Sequence, residues 1–360
     1  MSITTNLEKK FRNIEPYVPG EQPQYADRIK LNTNENPYPP SPQVEKVLNG
    51  YNIDNLKMYP DPNVNHLRQA LADYYGFNKE QVFVGVGSDD VLAMCFMAFF
   101  NSDLPIIFPD ITYSFYPVWA YLFNVKYQTK PLDDNFNIVK EDYFTENGGV
   151  VFPNPNAPTG IEMPLADVEE IIKFNKDSVV IVDEAYVDFG AKSALELVNK
   201  YENLVVVQTF SKSRSLAGLR IGFAIANEKL ISVLNAVKNS YNSYTMNSLT
   251  INAGAVAIAD DEYFKETIKK IINTRENAKK TLADLGFEFA DSKSNFIFAK
   301  HKTVKAVDIF NALREKHIFV RYFNQPRIDN YLRITIGTDE EMQALTDFLT
   351  DYLKDKCEKE

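Results

Sequence analysis

Short runs of apolar residues recur between residues 82 and 226 and alternate with stretches whose apolar positions repeat at helical spacing. The runs have the length and the β-branched content of buried strands. Amphipathic patterns lie between several of them, notably at residues 91–100 and 164–176. This alternation predicts an α/β domain with a mostly parallel central sheet flanked by helices. The predicted strands are residues 82–86, 104–108, 125–128, 149–153, 178–182 and 204–207, with a further short strand beginning near Gly222.

The pattern changes on either side of this region. Residues 1–40 are rich in proline and poor in periodicity, which predicts an extended arm with one brief strand at residues 28–31. Helices are predicted at residues 41–58 and 65–75, the second ending at Gly76. The last third predicts a smaller α+β domain, with helices at residues 252–285, 304–316 and 340–354 and strands at residues 295–299, 318–321 and 331–336.

These patterns predict three units along the chain. Residues 1–40 form the N-terminal arm, which should pack with the small domain and over the ligand site. Residues 41–255 form the large domain, whose sheet should carry that site at the carboxyl ends of its strands. Residues 256–360 form the small C-terminal domain.

Composition narrows the classes of function. The chain has 360 residues and a formal net charge of −10, which disfavours nucleic acid or an anionic membrane as its main partner. Its two cysteines make no disulfide framework, and its three histidines lack metal-ligand spacing, so no metal is expected. No apolar stretch has the length of a membrane span, and the N-terminus does not resemble a signal peptide. We therefore expect a cytoplasmic protein.

Polar residues follow several of the predicted strands at the point where each strand ends. Because ligand sites of open α/β sheets lie beyond the carboxyl ends of the strands, these residues should meet in one pocket. A glycine and a serine before a helix also suit a phosphate, since the first backbone N–H groups of a helix are free. In chain order the polar groups are Gly87-Ser88, Asn154-Pro155-Asn156, Asp183 and Ser211-Lys212.

Three of these motifs, taken in order, carry a family resemblance. Asp183-Glu184-Ala185-Tyr186 ends a buried strand, Lys212 follows 29 residues after Asp183, and Asn156-Ala157-Pro158-Thr159-Gly160 lies upstream. The set resembles the pyridoxal-phosphate enzymes of the aspartate aminotransferase superfamily. The resemblance covers essentially the whole chain and implies pyridoxal 5′-phosphate as the cofactor.

Further motifs narrow the resemblance to the histidinol-phosphate aminotransferase family. That family transfers an amino group between L-histidinol phosphate and 2-oxoglutarate, giving imidazole acetol phosphate and L-glutamate, in histidine biosynthesis. The resemblance implies this reaction and a homodimer with shared active sites. The motifs are Pro16-Tyr17-Val18-Pro19-Gly20, residues 31–38 (LNTNENPY), Tyr59-Pro60-Asp61, Gly87-Ser88-Asp89-Asp90 and residues 331–337 (YLRITIG).

The resemblance also implies roles around the cofactor. Lys212 should hold it covalently and, once displaced, carry the proton that moves during transfer. Asp183 should pair with the ring nitrogen, Tyr186 should bond the 3′ oxygen, and Tyr113 should stack on the ring. An asparagine usual in the family is Ala157 here, so we assign its contact with the 3′ oxygen to Asn156, with Asn154 as the substitute. The phosphate should be held by Ser211, Arg220, the backbone N–H groups of Ser88 and Asp89, and Tyr59 of a second subunit.

The substrate side should use two arginines. Arg333 resembles the residue that holds a carboxylate by a two-pronged hydrogen bond. Arg321 resembles the one that takes the phosphate of histidinol phosphate, while Arg327 between them is expected to be a surface residue. Arg214, next to the lysine motif, is expected at a subunit interface or in solvent. Tyr17, Asn34 and Tyr59 complete the predicted substrate-binding set.

Three other functions remain compatible with parts of this pattern. An aromatic amino acid aminotransferase would use nearly the same motifs. A phosphothreonine decarboxylase would share the cofactor but release carbon dioxide and need no keto acid. A sensor domain joined to a DNA-binding module is disfavoured, because no basic patch or helix-turn-helix pattern precedes residue 40.

Overall fold

The computed structural model describes residues 5–357 of the chain. Within this range the helices α1 to α11 are, in chain order, Thr5–Glu8, Pro42–Asn49, Asn65–Tyr75, Ser88–Phe99, Phe115–Leu122, Leu165–Phe174, Glu228–Tyr241, Ser248–Ala259, Asp261–Asp284, Ala306–Glu315 and Asp339–Cys357. The strands β1 to β13 are Ile29–Lys30, Val82–Gly85, Ile106–Pro109, Tyr127–Lys130, Val150–Pro153, Val180–Asp183, Leu204–Thr209, Gly222–Ala226, Phe287–Phe289, Phe296–His301, Ile318–Phe319, Arg321–Tyr322 and Leu332–Thr335.

A seven-stranded sheet forms the larger part of the molecule, in the order β2-β8-β7-β6-β5-β3-β4. Strand β8 runs antiparallel to both of its neighbours, and the other pairings are parallel. Strands β5, β6 and β7 are buried along their whole length, as expected for central strands covered by helices on both faces. The predicted α/β architecture with a mostly parallel sheet is confirmed.

Strand β6 shows why these sequences form a three-layer arrangement. Its side chains alternate between the two faces of the sheet. Val180 and Val182 belong to a core cluster that includes residues of α2, α3, α6 and α8, whereas Ile181 belongs to one that includes residues of α4, α5 and α7. Each fully buried aliphatic side chain of this kind contributes about 2 kcal/mol. The two apolar layers therefore fix the sheet, and with it the positions of the loops at its carboxyl edge.

A second, four-stranded antiparallel sheet in the order β12-β13-β10-β9 lies in the C-terminal part. It shares its own core with α9, α10 and α11. The arm joins this part through β1, which pairs in parallel with β11 at Ile29 and Ile318. The smaller α+β part is thus confirmed, while the boundaries at residues 40 and 255 stay predictions, and residues 1–4 and 358–360 of the outer units lie outside the described range.

Some predicted elements are divided in the structure. The helix predicted at residues 252–285 is broken at Asp260, whose side chain accepts a hydrogen bond from the backbone N–H of Tyr263 and begins α9. The strand predicted at residues 318–321 is split between two sheets as β11 and β12. The helix predicted at residues 41–58 ends at Asn49, and the short strand β9 was not predicted.

Candidate active site

One cleft of about 210 Å³ opens at the carboxyl ends of β2, β6 and β7. Asp183 is the last residue of β6, and Ser211-Lys212 follow the end of β7. The arm and the four-stranded sheet close the opposite side of the cleft. Twelve of the predicted site residues line it: Tyr17, Asn34, Ser88, Asp89, Tyr113, Asp183, Tyr186, Ser211, Lys212, Arg220, Arg321 and Arg333.

Lys212 is held in the cleft by the arm. Its Nζ donates a hydrogen bond of 2.9 Å to the carbonyl oxygen of Thr33 and lies 5.9 Å from the centre of the Tyr186 ring. The next residue, Ser213, is fixed at two points, because its hydroxyl donates to Asp188 at 2.5 Å and its carbonyl accepts from Asn36 at 3.0 Å. The loop that carries the lysine is therefore hydrogen-bonded both to the segment that follows β6 and to the arm.

Asp183 is a buried carboxyl group. Its Oδ2 accepts a hydrogen bond of 3.0 Å from the hydroxyl of Tyr116, and its Oδ1 accepts one of 3.3 Å from the backbone N–H of Ala185. Burial raises the pKa of Asp183 to about 6, although both hydrogen bonds act in the opposite direction. A cation bound beside it would favour the ionised form. Tyr116 was not predicted, since nothing in the helical pattern separates it from other core aromatic residues.

The hydroxyl of Tyr186 accepts a hydrogen bond of 2.9 Å from Nδ2 of Asn34. Asn34 has a left-handed backbone conformation, with φ of 59°. Its Oδ1 accepts from the hydroxyl of Thr335 at 2.9 Å, and its carbonyl accepts from the side chain of Asn295 at 2.9 Å. These contacts fix the amide so that its NH₂ group faces Tyr186. The phenol can therefore keep its own proton for donation into the cleft.

An anion-binding corner forms where β8 begins beside the N-terminus of α4. Nη1 of Arg220 lies 3.3 Å from the Ser211 hydroxyl, and Nη2 forms an ion pair with Oδ2 of Asp89 at 3.1 Å. Glycine is needed here, because a Cβ at Gly87 would lie 2.5 Å from Nη2 of Arg220 and one at Gly222 would lie 2.2 Å from the backbone nitrogen of Ser88. Because glycine has no side chain, the guanidinium of Arg220 can lie beside the positive N-terminal end of α4.

Tyr113 closes this corner. Its hydroxyl donates a hydrogen bond of 2.7 Å to Oδ1 of Asp89. Burial, together with the Asp89 carboxylate, raises the pKa of Tyr113 well above its ordinary value, so the phenol stays protonated. Asp89 thus holds both Arg220 and the aromatic ring.

Arg321 and Arg333 are direct neighbours on the antiparallel strands β12 and β13. Nη2 of Arg333 donates to the carbonyl of Asn32 at 3.0 Å, while its Nε is buried without a hydrogen-bond partner. Burial, reinforced by the charge of Arg321, lowers the pKa of Arg333. Within residues 5–357 neither arginine forms an ion pair with an acidic side chain. Two adjacent cations with an unused donor form a site for an anionic ligand.

Two predicted site residues do not reach the cleft of their own chain. Tyr59 has an exposed fraction of 82% and packs on Tyr244 with ring centres 4.7 Å apart. The amide of Asn156 is used internally: Nδ2 donates to the carbonyl of Ile111 at 3.0 Å, and Oδ1 accepts from Thr112 at 3.0 Å. The geometry therefore does not support the role predicted for Asn156.

Asn154, the predicted alternative to Asn156, also has its side-chain amide hydrogen-bonded outside the cleft. Its side chain exchanges two hydrogen bonds with the backbone of Met163, at 2.8 and 3.0 Å. Ala157 faces the cleft in place of the usual asparagine. The only amide that contacts the Tyr186 hydroxyl among the described residues is that of Asn34, which comes from the arm.

Arg214 is buried and forms no ion pair with any of the described residues. It has an exposed fraction of 7%, and its guanidinium packs 3.9 Å from the ring centre of Phe264. Its Nη1 donates to the carbonyl of Ala257 at 2.9 Å. Arg214 therefore anchors the lysine loop to the end of α8, and the expectation of a solvent-facing side chain was wrong.

Comparison with known proteins assigns the family. The model for aminotransferase class I and II matches residues 26–349. The histidinol-phosphate aminotransferase of Lactococcus lactis subsp. cremoris (strain MG1363) is 52% identical over 349 residues, which is 97% of this chain and 98% of that protein. Histidinol-phosphate aminotransferase 1 of Hydrogenovibrio crunogenus is 55% identical over 341 residues, 95% of this chain and 96% of that protein. This chain belongs to the histidinol-phosphate aminotransferase family.

The solved structures agree on the fold of this aminotransferase. The crystal structure of histidinol-phosphate aminotransferase from Sinorhizobium meliloti in complex with pyridoxal-5′-phosphate matches with a TM-score of 0.79 and 24% identity, covering 90% of each chain. Membership of a pyridoxal-phosphate-dependent family confirms the predicted enzyme class and cofactor. No helix within residues 5–357 is long and apolar enough to cross a membrane.

The cleft of this aminotransferase fits that cofactor. Among the described residues, the buried Asp183 carboxyl accepts hydrogen bonds from Tyr116 and Ala185 and from no cationic side chain, which leaves it available to a protonated ring nitrogen. The corner formed by Ser211, Arg220 and the N-terminus of α4 suits a phosphate. Lys212 lines the same cleft as both groups.

Proposed function

We propose that this enzyme transfers the amino group of L-histidinol phosphate to 2-oxoglutarate, forming imidazole acetol phosphate and L-glutamate, in histidine biosynthesis. The observation that carries this proposal is the pair formed by Arg321 and Arg333, which lie opposite each other at the cleft without acidic partners among the described residues. Two adjacent cations suit small substrates that carry a phosphate or two carboxylates. The relatives from Lactococcus lactis and Hydrogenovibrio crunogenus bear the name of this activity.

Lys212 and Asp183 supply the chemistry around the cofactor. Pyridoxal phosphate, when bound, supplies the electron sink that stabilises negative charge at the substrate α-carbon. Lys212 would hold the cofactor covalently and then, as a free amine, move the proton from that carbon. Asp183 would pair with the ring nitrogen, and Tyr116 would hold its carboxylate in the required orientation.

Tyr186, Arg220 and Tyr113 would orient the ring. Because Asn34 donates to the Tyr186 hydroxyl, the phenol proton is available to the 3′ oxygen. Ser211, Arg220 and the first N–H groups of α4, at Ser88 and Asp89, would hold the phosphate. Tyr113 would pack on the ring face.

The two substrates carry different anionic groups, and the pair of arginines can bind both kinds. Histidinol phosphate has a phosphate and no carboxylate, whereas 2-oxoglutarate has two carboxylates. Arg333 would take the α-carboxylate of glutamate, using its Nε, which has no partner among the described residues, and Arg321 would take the phosphate of histidinol phosphate, helped by Tyr17. The ring of Tyr17 stacks on Phe115 at 4.2 Å, which supports a role for the arm as a cover over the cleft.

We propose a homodimer in which Tyr59 completes the neighbour's site. The turn of Tyr59 carries exposed apolar residues, and it packs on Tyr244, which is itself half exposed. Nζ of Lys238 joins the two segments by donating to the carbonyls of Pro62 and Ser243. An exposed apolar surface of this kind is typical of a protein interface. Its exposed members include Ile53, Leu56, Met58, Tyr59, Tyr241 and Tyr244.

The absence of a disulfide framework in the sequence supports a cytoplasmic location.

The deciding experiment compares amino donors with the purified, cofactor-loaded enzyme. Histidinol phosphate should convert the cofactor's absorption spectrum to that of its amine form, and 2-oxoglutarate should restore the first spectrum. With histidinol, which lacks the phosphate, kcat/KM should fall by about a hundredfold or more, since a charge-assisted arginine contact is lost. Equal kcat/KM for phenylalanine and histidinol phosphate would instead assign an aromatic aminotransferase, and carbon dioxide release from phosphothreonine would assign a decarboxylase.

A further inference from the structure

Arg327 connects the loop between β12 and β13 to segments that follow strands of the seven-stranded sheet. Its Nη1 lies 3.1 Å from Oδ2 of Asp110, and its Nη2 donates to the carbonyls of Leu132 and Asp133 at 2.9 and 2.8 Å. Its guanidinium also lies 5.6 Å from the ring centre of Phe136. All four contacts are with segments that follow β3 and β4. A side chain expected only at the surface therefore spans two parts of the molecule.

The carboxyl group of Asp110, which accepts a hydrogen bond from Arg327, is itself fixed in position. Oδ1 of Asp110 accepts hydrogen bonds from the backbone N–H groups of Ile111 and Leu132, at 2.8 and 3.0 Å. The other oxygen is thereby presented to Arg327. Asp110 directly follows the last residue of β3 and lies three residues before Tyr113, whose ring faces the cleft.

An apolar contact supports the same junction. Ile328, next to Arg327, is buried in a small cluster with Ile111, Leu132 and Phe298. The loop is thus held by packing at one residue and by directed polar contacts at the next. Packing alone would permit sliding, whereas three hydrogen bonds to fixed acceptors define one position.

Arg327 lies midway along the chain between the two arginines of the cleft, six residues from Arg321 and six from Arg333. The loop that contains Arg327 connects β12, which carries Arg321, to β13, which carries Arg333. Arg327 itself does not line the cleft, so it is not a further ligand for substrate anions.

We propose that Arg327 is a positioning residue for substrate binding, which holds Arg321 and Arg333 at a fixed distance from the side of the cleft that carries Tyr113. The identity of the substrates rests on the proposed function above. Loss of the contacts would let the loop move, so that the two arginines would bind substrate anions less tightly. A charge-assisted hydrogen bond weakens steeply when its donor is displaced or turned away from the acceptor.

The test uses Arg327→Gln and Asp110→Asn in the cofactor-loaded enzyme. We expect KM for histidinol phosphate and for 2-oxoglutarate to rise by about tenfold in each variant, with kcat changed by less than about twofold. The double variant should be no worse than Arg327→Gln alone, because the contact that Asp110→Asn removes is among those that Arg327→Gln also removes. Hydrogen exchange of residues 323–331 should accelerate in the substrate-free protein.

The matched control is Lys140→Gln, which removes a partly buried lysine paired with Asp167 and Glu170, away from the cleft. It should leave both KM values and the exchange of residues 323–331 unchanged. The proposal is overturned if Arg327→Gln lowers only the melting temperature and leaves KM and exchange as in the wild type. If the wild-type enzyme does not use histidinol phosphate, the proposed function fails, while the exchange measurement still decides whether Arg327 holds the loop.

Discussion

The hydroxyl of Tyr116 donates a hydrogen bond of 3.0 Å to Oδ2 of Asp183, and both residues are buried. Asp183 ends β6, and Tyr116 lies in the first turn of α5. The bond is the principal side-chain restraint on the carboxyl group that faces the cofactor site. It both orients the carboxylate and opposes the rise in pKa that burial causes.

Tyr116→Phe should shift the acidic limit of cofactor binding to higher pH. The hydrogen bond lowers the pKa of Asp183, so its loss raises that pKa further above its ordinary value, and the carboxyl becomes neutral at higher pH. A hydrogen bond to a charged group contributes about 1.5 kcal/mol, which corresponds to about one pH unit. Cofactor affinity measured from pH 5.5 to 8 tests this. Tyr143→Phe is the matched control, since that buried hydroxyl has no hydrogen-bond partner within residues 5–357; equal profiles for the two variants would contradict the prediction.

Arg333→Met should stabilise the substrate-free protein while it destroys substrate binding. The variant removes a cation whose Nε is buried without a partner among the described residues, and this gain should outweigh the single hydrogen bond lost to the carbonyl of Asn32, giving a net stabilisation of about 1 kcal/mol. KM for 2-oxoglutarate should rise by about a hundredfold or more. Urea unfolding and steady-state kinetics measure the two effects.

Arg275→Met provides the contrast for this experiment. Nη1 of Arg275 donates to the carbonyls of Phe189 and Ser294, both at 2.8 Å, so its removal leaves buried acceptors unsatisfied and should destabilise the fold. A loss of stability in Arg333→Met as large as that in Arg275→Met would show that Arg333 is primarily structural.

Glu184→Gln should change how stability depends on pH. Burial raises the pKa of Glu184 to about 7, while Ser193, Ala194 and Gln208 donate hydrogen bonds that oppose the shift. The folded state therefore keeps a proton that the unfolded chain loses above pH 4.5, so this group's contribution to stability is lost as pH rises toward 7. The unfolding free energy of the variant minus that of the wild type should increase by about 2 kcal/mol between pH 5.5 and 8.

Urea unfolding of both proteins across this pH range measures the difference. Glu196→Gln, at an exposed glutamate of the same segment, is the control. A constant difference between Glu184→Gln and the wild type would mean that the Glu184 side chain does not titrate in this range.

Mixed dimers should reveal whether Tyr59 serves the neighbouring site. Tyr59 is largely exposed and does not line its own cleft, so Lys212→Ala and Tyr59→Phe would affect different chains of one site. After co-refolding of equal amounts, half the dimers are mixed and each has one intact site, which predicts about a quarter of wild-type activity. Mixing Lys212→Ala with Lys212→Arg is the control, and activity no greater than in that control would argue against shared sites, provided that Tyr59→Phe alone is impaired.

A double-mutant cycle should show that Asn34 and Tyr186 act together. Asn34→Ala removes the donor to the phenol, and Tyr186→Phe removes the phenol oxygen, so the double variant should lose less kcat/KM than the sum of the two single losses in free energy. The expected coupling is about 1 kcal/mol. Asn34→Gly separates backbone strain from loss of the amide, since glycine accepts the left-handed conformation at φ of 59°. Additive losses would exclude a direct partnership.

The local pattern of residues was sufficient to predict the strands of the large sheet and the side of it that carries the site. Strands β5, β6 and β7 are short, β-branched and bounded by polar residues, and such signals depend only on neighbours in sequence. The motifs around Asp183 and Lys212 were sufficient for the family, because their order and spacing are themselves features of the sequence.

The tertiary structure decided which side chains meet. Tyr116 and Asp183 are 67 residues apart, and Arg327 and Asp110 are 217 apart, so their contacts follow from the order of strands rather than from any local pattern. The same reason explains why the sequence did not predict the surroundings of Asn156 and Arg214. The side-chain amide of Asn156 is hydrogen-bonded to Ile111 and Thr112, which follow another strand of the sheet, and the guanidinium of Arg214 is covered by α8 and α9. A hydrogen-bonding group takes the partners that packing places within about 3 Å, and that choice is made only when distant segments come together.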